Sequence, residues 1–242
     1  MFRRLLTFLN KWILLEPSIF LFLMSARMVY FTRQNLFIDV VCMGMADQHT
    51  CQNMTQVGLL TRRKEKPQAR FVYLQEFKDK VAIEAADMIS IILRIENIGP
   101  IILCILSGPV SDRFGRRLPL LLSCCGMLAS YVGYLVLSLQ DPLHKLPQTH
   151  YILPSIGISL GGQFFVFFQM FFAYTSDVSE ERRESADYKF RRFIIAEGSV
   201  YFGAVTGSYV GGLMYTKVGY TNVFLASVIL MIGGYPGSPG SA

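Results

Sequence analysis

Apolar residues in this chain fall in blocks, not in the alternation of a strand or the one-sided stripe of a soluble helix. Blocks at 17–43, 83–110, 118–139, 151–174 and 193–215 each run for about twenty residues or more. That length carries a helix across hydrocarbon at about 1.5 Å per residue. The block at 118–139, LPLLLSCCGMLASYVGYLVLSL, holds no charged residue. A sixth, 221–234, is apolar for only about a dozen residues, too few to span. It then meets YPGSPGSA at 235–242, a Pro/Gly/Ser tail that cannot continue a helix. The pattern predicts an all-α membrane protein whose membrane domain covers 17–234, with its sixth helix truncated. Residues 1–16 are expected to form a short cytosolic N-terminal helix ahead of the first span, and 44–82 form the longest loop.

Composition points the same way. Apolar residues make up 52% of the chain and charged residues 17%, against about a quarter charged in soluble domains. Mean hydropathy is +0.39. The partner implied throughout is a lipid bilayer.

Lys and Arg in short loops set the orientation. Arg3, Arg4 and Lys11 lie at the N-terminus, three Arg in the 111–117 join, and Arg182, Arg183, Lys189, Arg191 and Arg192 in the 175–192 loop. The alternate loops at 140–150 and 216–220 carry one Lys each. The N-terminus is therefore expected in the cytosol and 44–82 outside or in a lumen. That long loop holds seven Lys/Arg, but long loops weigh little under this rule. Asn53-Met54-Thr55 within it is an N-glycosylation acceptor. Cys51 beside it stands where a disulfide can persist. Its partner is open: Cys42 is possible but sits at the end of the first span, and Cys104, Cys124 and Cys125 lie inside helices as small packing residues. The opening MFRRLLTFLNKWILLEPSIF has the basic start of a secretory signal. Lys11 and Glu16 interrupt its apolar stretch and no small-residue cleavage site follows.

No zinc-ligand spacing, phosphate-cradling glycine loop or nucleophile motif occurs, so neither an enzyme nor a metal site is expected. The pI of about 9.1 comes from the cytosolic basic residues and not from a nucleic-acid patch. No cofactor is expected beyond protons as a coupling ion.

The join between the second and third blocks reads G-x-x-x-D-R-x-G-R-R: Gly108, Asp112, Arg113, Gly115, Arg116 and Arg117. Gly115 permits a tight reversal, Gly108 lets a neighbouring helix approach closely, and the arginines hold the turn in the cytosol. This join resembles the loop between helices 2 and 3 of major facilitator superfamily transporters. Further stretches, LLEPSIFLFL, TSDVSEERRES and FRRFIIAEGSVYFGAVTGSYVGGLMYTKVGYTNVF, resemble solute carrier family 46, the proton-coupled folate transporter family. The resemblance implies the N-terminal six-helix half of that fold, working with a second half or a second copy. It also implies that Asp177, at the end of the fourth block, completes a charge cluster with Arg116 that locks the outward-facing state. Glu197 would be the proton-coupling acid. Cys51 would bridge to a loop of the second half and stand unpaired here.

Charge inside a membrane marks function by default. Arg27 is about ten residues, roughly 15 Å, into the first span. Arg94 and Glu96 are expected at a similar depth in the second, two residues apart and so on different faces. Arg27 could clamp an organic anion bidentately or form an interhelical pair with Glu96. Gln163 and Gln169 are candidate substrate contacts or helix–helix hydrogen bonds. A carboxyl in a low-dielectric site holds a proton more readily, and so can load it on one side and release it on the other. Gly203-x-x-x-Gly207-x-x-x-Gly211-Gly212 is expected to pack closely on another helix. The function expected is proton-coupled symport of an organic anion such as a folate-like solute, across the plasma or lysosomal membrane. The alternative is a non-transporting membrane protein that associates with a full-length relative.

Overall fold

The computed structural model describes residues 15–46, 51, 68–140, 146–181 and 186–234. Asn53, the segment before residue 15 and the tail at 235–242 lie outside the described residues, and with them the glycosylation and tail expectations. The described residues are helical almost throughout: α1 (Leu15–Met45), α2 (Gln68–Phe114), α3 (Arg117–Gln140), α4 (Gln148–Gly161), α5 (Gln163–Glu181) and α6 (Ala186–Gly233). Among the described residues, four helical stretches are long and apolar enough to cross a membrane: Gln75–Phe114, Leu118–Gln140, Thr149–Asp177 and Lys189–Gly233. Large apolar side chains such as Ile98, Ile101, Ile105 and Leu160 stand more than half exposed, as a bilayer environment allows.

α1 is not among those four. Arg27, Arg33 and Asp39 recur every six residues along it and lower its hydropathy. Its helical phase still buries one side: Ile19, Phe22, Val29, Arg33, Leu36, Phe37 and Val40 face the core, while Arg27, Tyr30, Phe31 and Ile38 face out.

α6 doubles back on itself. Gly219 takes φ 80°, ψ 179° in mid-element, a left-handed φ that suits glycine. On the arm before it, a methyl group added at Gly203 would lie 2.8 Å from the Phe20 carbonyl oxygen, and one at Gly211 would lie 2.9 Å from Met28 Cα. Positions 203 and 211 thus face 20 and 28, so this arm runs parallel to α1. On the arm after it, Tyr220 donates to Asp39 and Ser25 to Met231, so the return arm runs antiparallel. The glycine repeat is the packing seam, and α1 lies between the two arms.

The stretch 149–177 behaves differently at its own break. Gly162 and Gln163 have φ 79° and 56°, a left-handed pair that ends α4 and restarts the helix as α5. Gly99 still meets Ser159 on α4, and Ser107 meets Gln169 on α5. The register along α2 therefore continues across the break, and the stretch is one kinked rod. α4 packs antiparallel on α3 through Gly126, Gly157 and Gly161.

α2 begins at Gln68, inside the segment read from sequence as part of the 44–82 loop. Its first turns expose Glu76, Lys78, Asp79, Lys80, Glu84 and Asp87. At 47 residues it is about 70 Å long, far more than about 30 Å of hydrocarbon needs, so this polar part extends past the bilayer.

Candidate functional site

Three polar sites are spread along the bundle axis. The first is the turn between α2 and α3. Gly115 has φ 84°, which makes the reversal. Arg116 then reaches back: its Nε donates to Asp177 Oδ2 on α5 at 2.9 Å, and its Nη1 donates to Ser111 Oγ on α2 at 2.8 Å. The structure thus brings Arg116 and Asp177 together across 61 residues of sequence. Asp112 lies 3.8 Å from Arg116 Nη1 with its side chain 75% exposed, and Arg113 is exposed, its guanidinium 5.7 Å from the Phe114 ring. Arg117 opens α3. The expectation for Gly108 is corrected: nothing lies within 4 Å of where its Cβ would be, so no described helix makes use of the space.

The second site is a buried ion pair that the sequence reading placed wrongly. Glu96 is fully buried, and its partner is Arg33 and not Arg27. Both terminal guanidinium nitrogens are engaged: Nη1 donates to Oε1, and Nη2 to Oε2 at 3.2 Å. The rings of Tyr30, Phe37 and Tyr134 surround the guanidinium at 5.7 to 5.8 Å. Tyr134 in turn hydrogen-bonds Ser155 at 2.9 Å. One node therefore joins α1, α2, α3 and α4. Arg33 went unremarked in sequence because it lies near the far end of the first block. Helical phase was the available signal: Arg33 shares the face of Val29, Leu36 and Phe37, and Arg27 does not.

Depth separates the remaining candidates. Arg33 is six residues past Arg27, about 9 Å along the axis. Glu96 sits at Arg33's level, so Arg27, Arg94 and Glu96 do not share one plane as expected. Arg27 is exposed in an open groove of about 550 Å³ lined with Ala204, Val205, Ser208 and Tyr209. Its guanidinium lies 5.9 Å from the Tyr30 ring. Glu197 is exposed lower on the same α6 arm, on the stripe that continues through Tyr201 and Val205 into this groove. Arg94 is exposed on α2 in line with Ile98, Ile101 and Ile105, facing away from Glu96 as their spacing predicts. Gln163 stands at the α4–α5 break with its Oε1 buried and without a hydrogen-bond partner; Gln169 accepts from Ser107 at 3.0 Å.

The third site closes the far end. Tyr220 donates to Asp39, and the Tyr215 and Tyr220 hydroxyls are 3.1 Å apart. Cys51 is disulfide-bonded to Cys42, nine residues away. This corrects the expectation that Cys51 is unpaired. α1 runs to Met45, so Cys42 sits on its last turn. Among the described residues no cluster of His, Cys, Asp or Glu could hold a metal.

No family model and no solved structure matches the chain. What the fold defines is an all-helical protein with the build of a multi-pass membrane protein.

Proposed function

We propose that the chain is the N-terminal six-helix half of a major facilitator-type secondary transporter, moving an organic anion together with protons. In this reading α1, α2, α3, the α4–α5 rod and the two arms of α6 are the six helices, the N-terminus is cytosolic, and a second half or second copy covers the exposed polar face. The observation that carries it is the fork of Arg116: a turn residue that grips Asp177 on another helix is what a gate at one end of a rocking bundle requires. Support also comes from the face shared by Arg27 and Glu197. Arg27 offers a fixed bidentate donor for a carboxylate or phosphate, and Glu197 offers a protonatable group on the path to it.

Uptake of a labelled folate-like anion into liposomes holding the protein, with and without an inward proton gradient, tests this. The expected result is acid-stimulated uptake that Glu197→Gln abolishes. Unchanged pH dependence in that variant removes Glu197 from the mechanism, and absence of uptake under any gradient removes transport by copies of this chain alone.

A further inference from the structure

The 111–117 turn advertises Asp112 as the partner of Arg116, four residues on, at the spacing of a helical ion pair. The contact lies elsewhere. Asp112 Oδ1 is 3.8 Å from Nη1, beyond hydrogen-bond reach, and so exposed a pair contributes little.

Ser111, one residue earlier, is 3% exposed. Its hydroxyl accepts from Arg116 Nη1 at 2.8 Å and donates to the Gly108 carbonyl at 2.9 Å. The second bond fixes where the first one points. Because a guanidinium is planar and rigid, holding Nη1 against Ser111 fixes the direction of Nε, the atom that meets Asp177 at 2.9 Å. One turn earlier on the same face of α2, Ser107 donates to Gln169 of α5 at 3.0 Å. That contact bridges α2 and α5 directly, whereas the hydrogen bonds of Ser111 run to Arg116 and to its own helix. Without Ser111, Nη1 would turn to the exposed Asp112 and draw Nε off line.

We propose that Ser111 is a positioning residue that presets Arg116 on α2, so that closure of this end of the bundle is decided by whether Asp177 is present to meet it. The inference takes from the transporter reading only its meaning for gating; the contact itself stands without it.

The test is a distance distribution between spin labels at Leu118 on α3 and Tyr174 on α5, in the full chain in lipid nanodiscs, with Cys104, Cys124 and Cys125 replaced by alanine. A hydrogen bond to a charged group corresponds to roughly a tenfold or greater change in an equilibrium. Ser111→Ala is therefore expected to raise the ratio of long to short distances about tenfold. Ser111→Thr, which keeps the hydroxyl, is expected to restore it. Ser111→Ala is expected to add nothing in an Asp177→Asn background, because Ser111 acts only through the arginine. A wild-type distribution in Ser111→Ala overturns the proposal, as does an equal shift in the Asp177→Asn background. If the distances behave as expected while liposomes show no uptake, transport by copies of this chain alone fails and the role of Ser111 stands.

Discussion

Breaking the Arg33–Glu96 pair on one side and on both sides should give opposite outcomes. The two side chains are 6% and 1% exposed. Glu96→Leu leaves the guanidinium among the rings of Tyr30, Phe37 and Tyr134, which return only about 0.5–2 kcal/mol through cation–π contact. Arg33 Nε already lacks a partner, and the neutral Tyr134 hydroxyl beside the guanidinium is engaged with Ser155 and carries no charge to replace the carboxylate. Removing one member of a buried pair costs about 3–5 kcal/mol, and about 4 kcal/mol is expected here, close to a thousandfold in the unfolding equilibrium. Arg33→Leu should cost less, because a stranded carboxyl can shed its charge by taking a proton and a guanidinium cannot. Arg33→Leu with Glu96→Leu removes both charges and should return to within about 1 kcal/mol of the parent, or exceed it. Reversible unfolding in mixed micelles of rising SDS fraction, followed by tryptophan-independent circular dichroism, measures all four corners of the cycle. The reasoning fails if either single variant lies within 1 kcal/mol of the parent. It also fails if the double variant is as unstable as the two single variants summed, since the coupling would then be near zero.

Two other changes probe the frame. Gly207→Leu drives a side chain into the Met24 backbone, whereas Gly198 has open space around it; the first should cost about 1–3 kcal/mol and Gly198→Leu close to nothing, read as folded fraction by size exclusion after graded heating. Cys42→Ser frees the Cys51 thiol and removes a short closed loop that contributes roughly 2–3 kcal/mol; a membrane-impermeant maleimide added to intact cells without reductant should then label this variant and leave Cys51 of the parent unlabelled.

Much of this architecture is legible as block pattern. The apolar blocks became helices because twenty apolar residues leave a backbone no solvent but itself. The glycine repeat at 203, 207 and 211 forms a close seam, as its spacing foretells. The Arg116–Asp177 contact was within reach because both residues end apolar blocks on the same side. What stayed hidden depended on rotation about a helix axis and on the level each residue takes against its neighbour. Counting from block ends favours Arg27 as the partner of Glu96; register and helical phase together decide for Arg33. The Gly161–Gly162 pair at the centre of the fourth block is visible in sequence, yet whether it makes a hairpin or a kink depends on α2, whose contacts continue past it. Gly219 lies instead in the 216–220 loop between two apolar blocks and makes the hairpin, with α1 offering both arms a surface.

The same registers rank the exposed charges. Gly203 lies level with Phe20 and Gly211 with Met28. Glu197, six residues below Gly203, therefore sits about 9 Å lower, near the membrane boundary, where a carboxylate can reach water. Arg94 lies eighteen residues from Asp112, about 27 Å along α2, close enough to the other boundary for its long side chain to snorkel. Arg27 has neither escape. In the transporter reading it is level with the middle of the glycine seam and about 15 Å from either surface of a 30 Å hydrocarbon layer. A charge held there costs about 2.5–3.5 kcal/mol even on insertion scales, a large share of the roughly 5–15 kcal/mol that holds a domain together. Tyr30, Ser208 and Tyr209 cannot neutralise it. Of the exposed charges, Arg27 is thus the one whose position requires water, another protein surface or an anion beside it, and the groove it opens into is where a bound anion would lower the cost most.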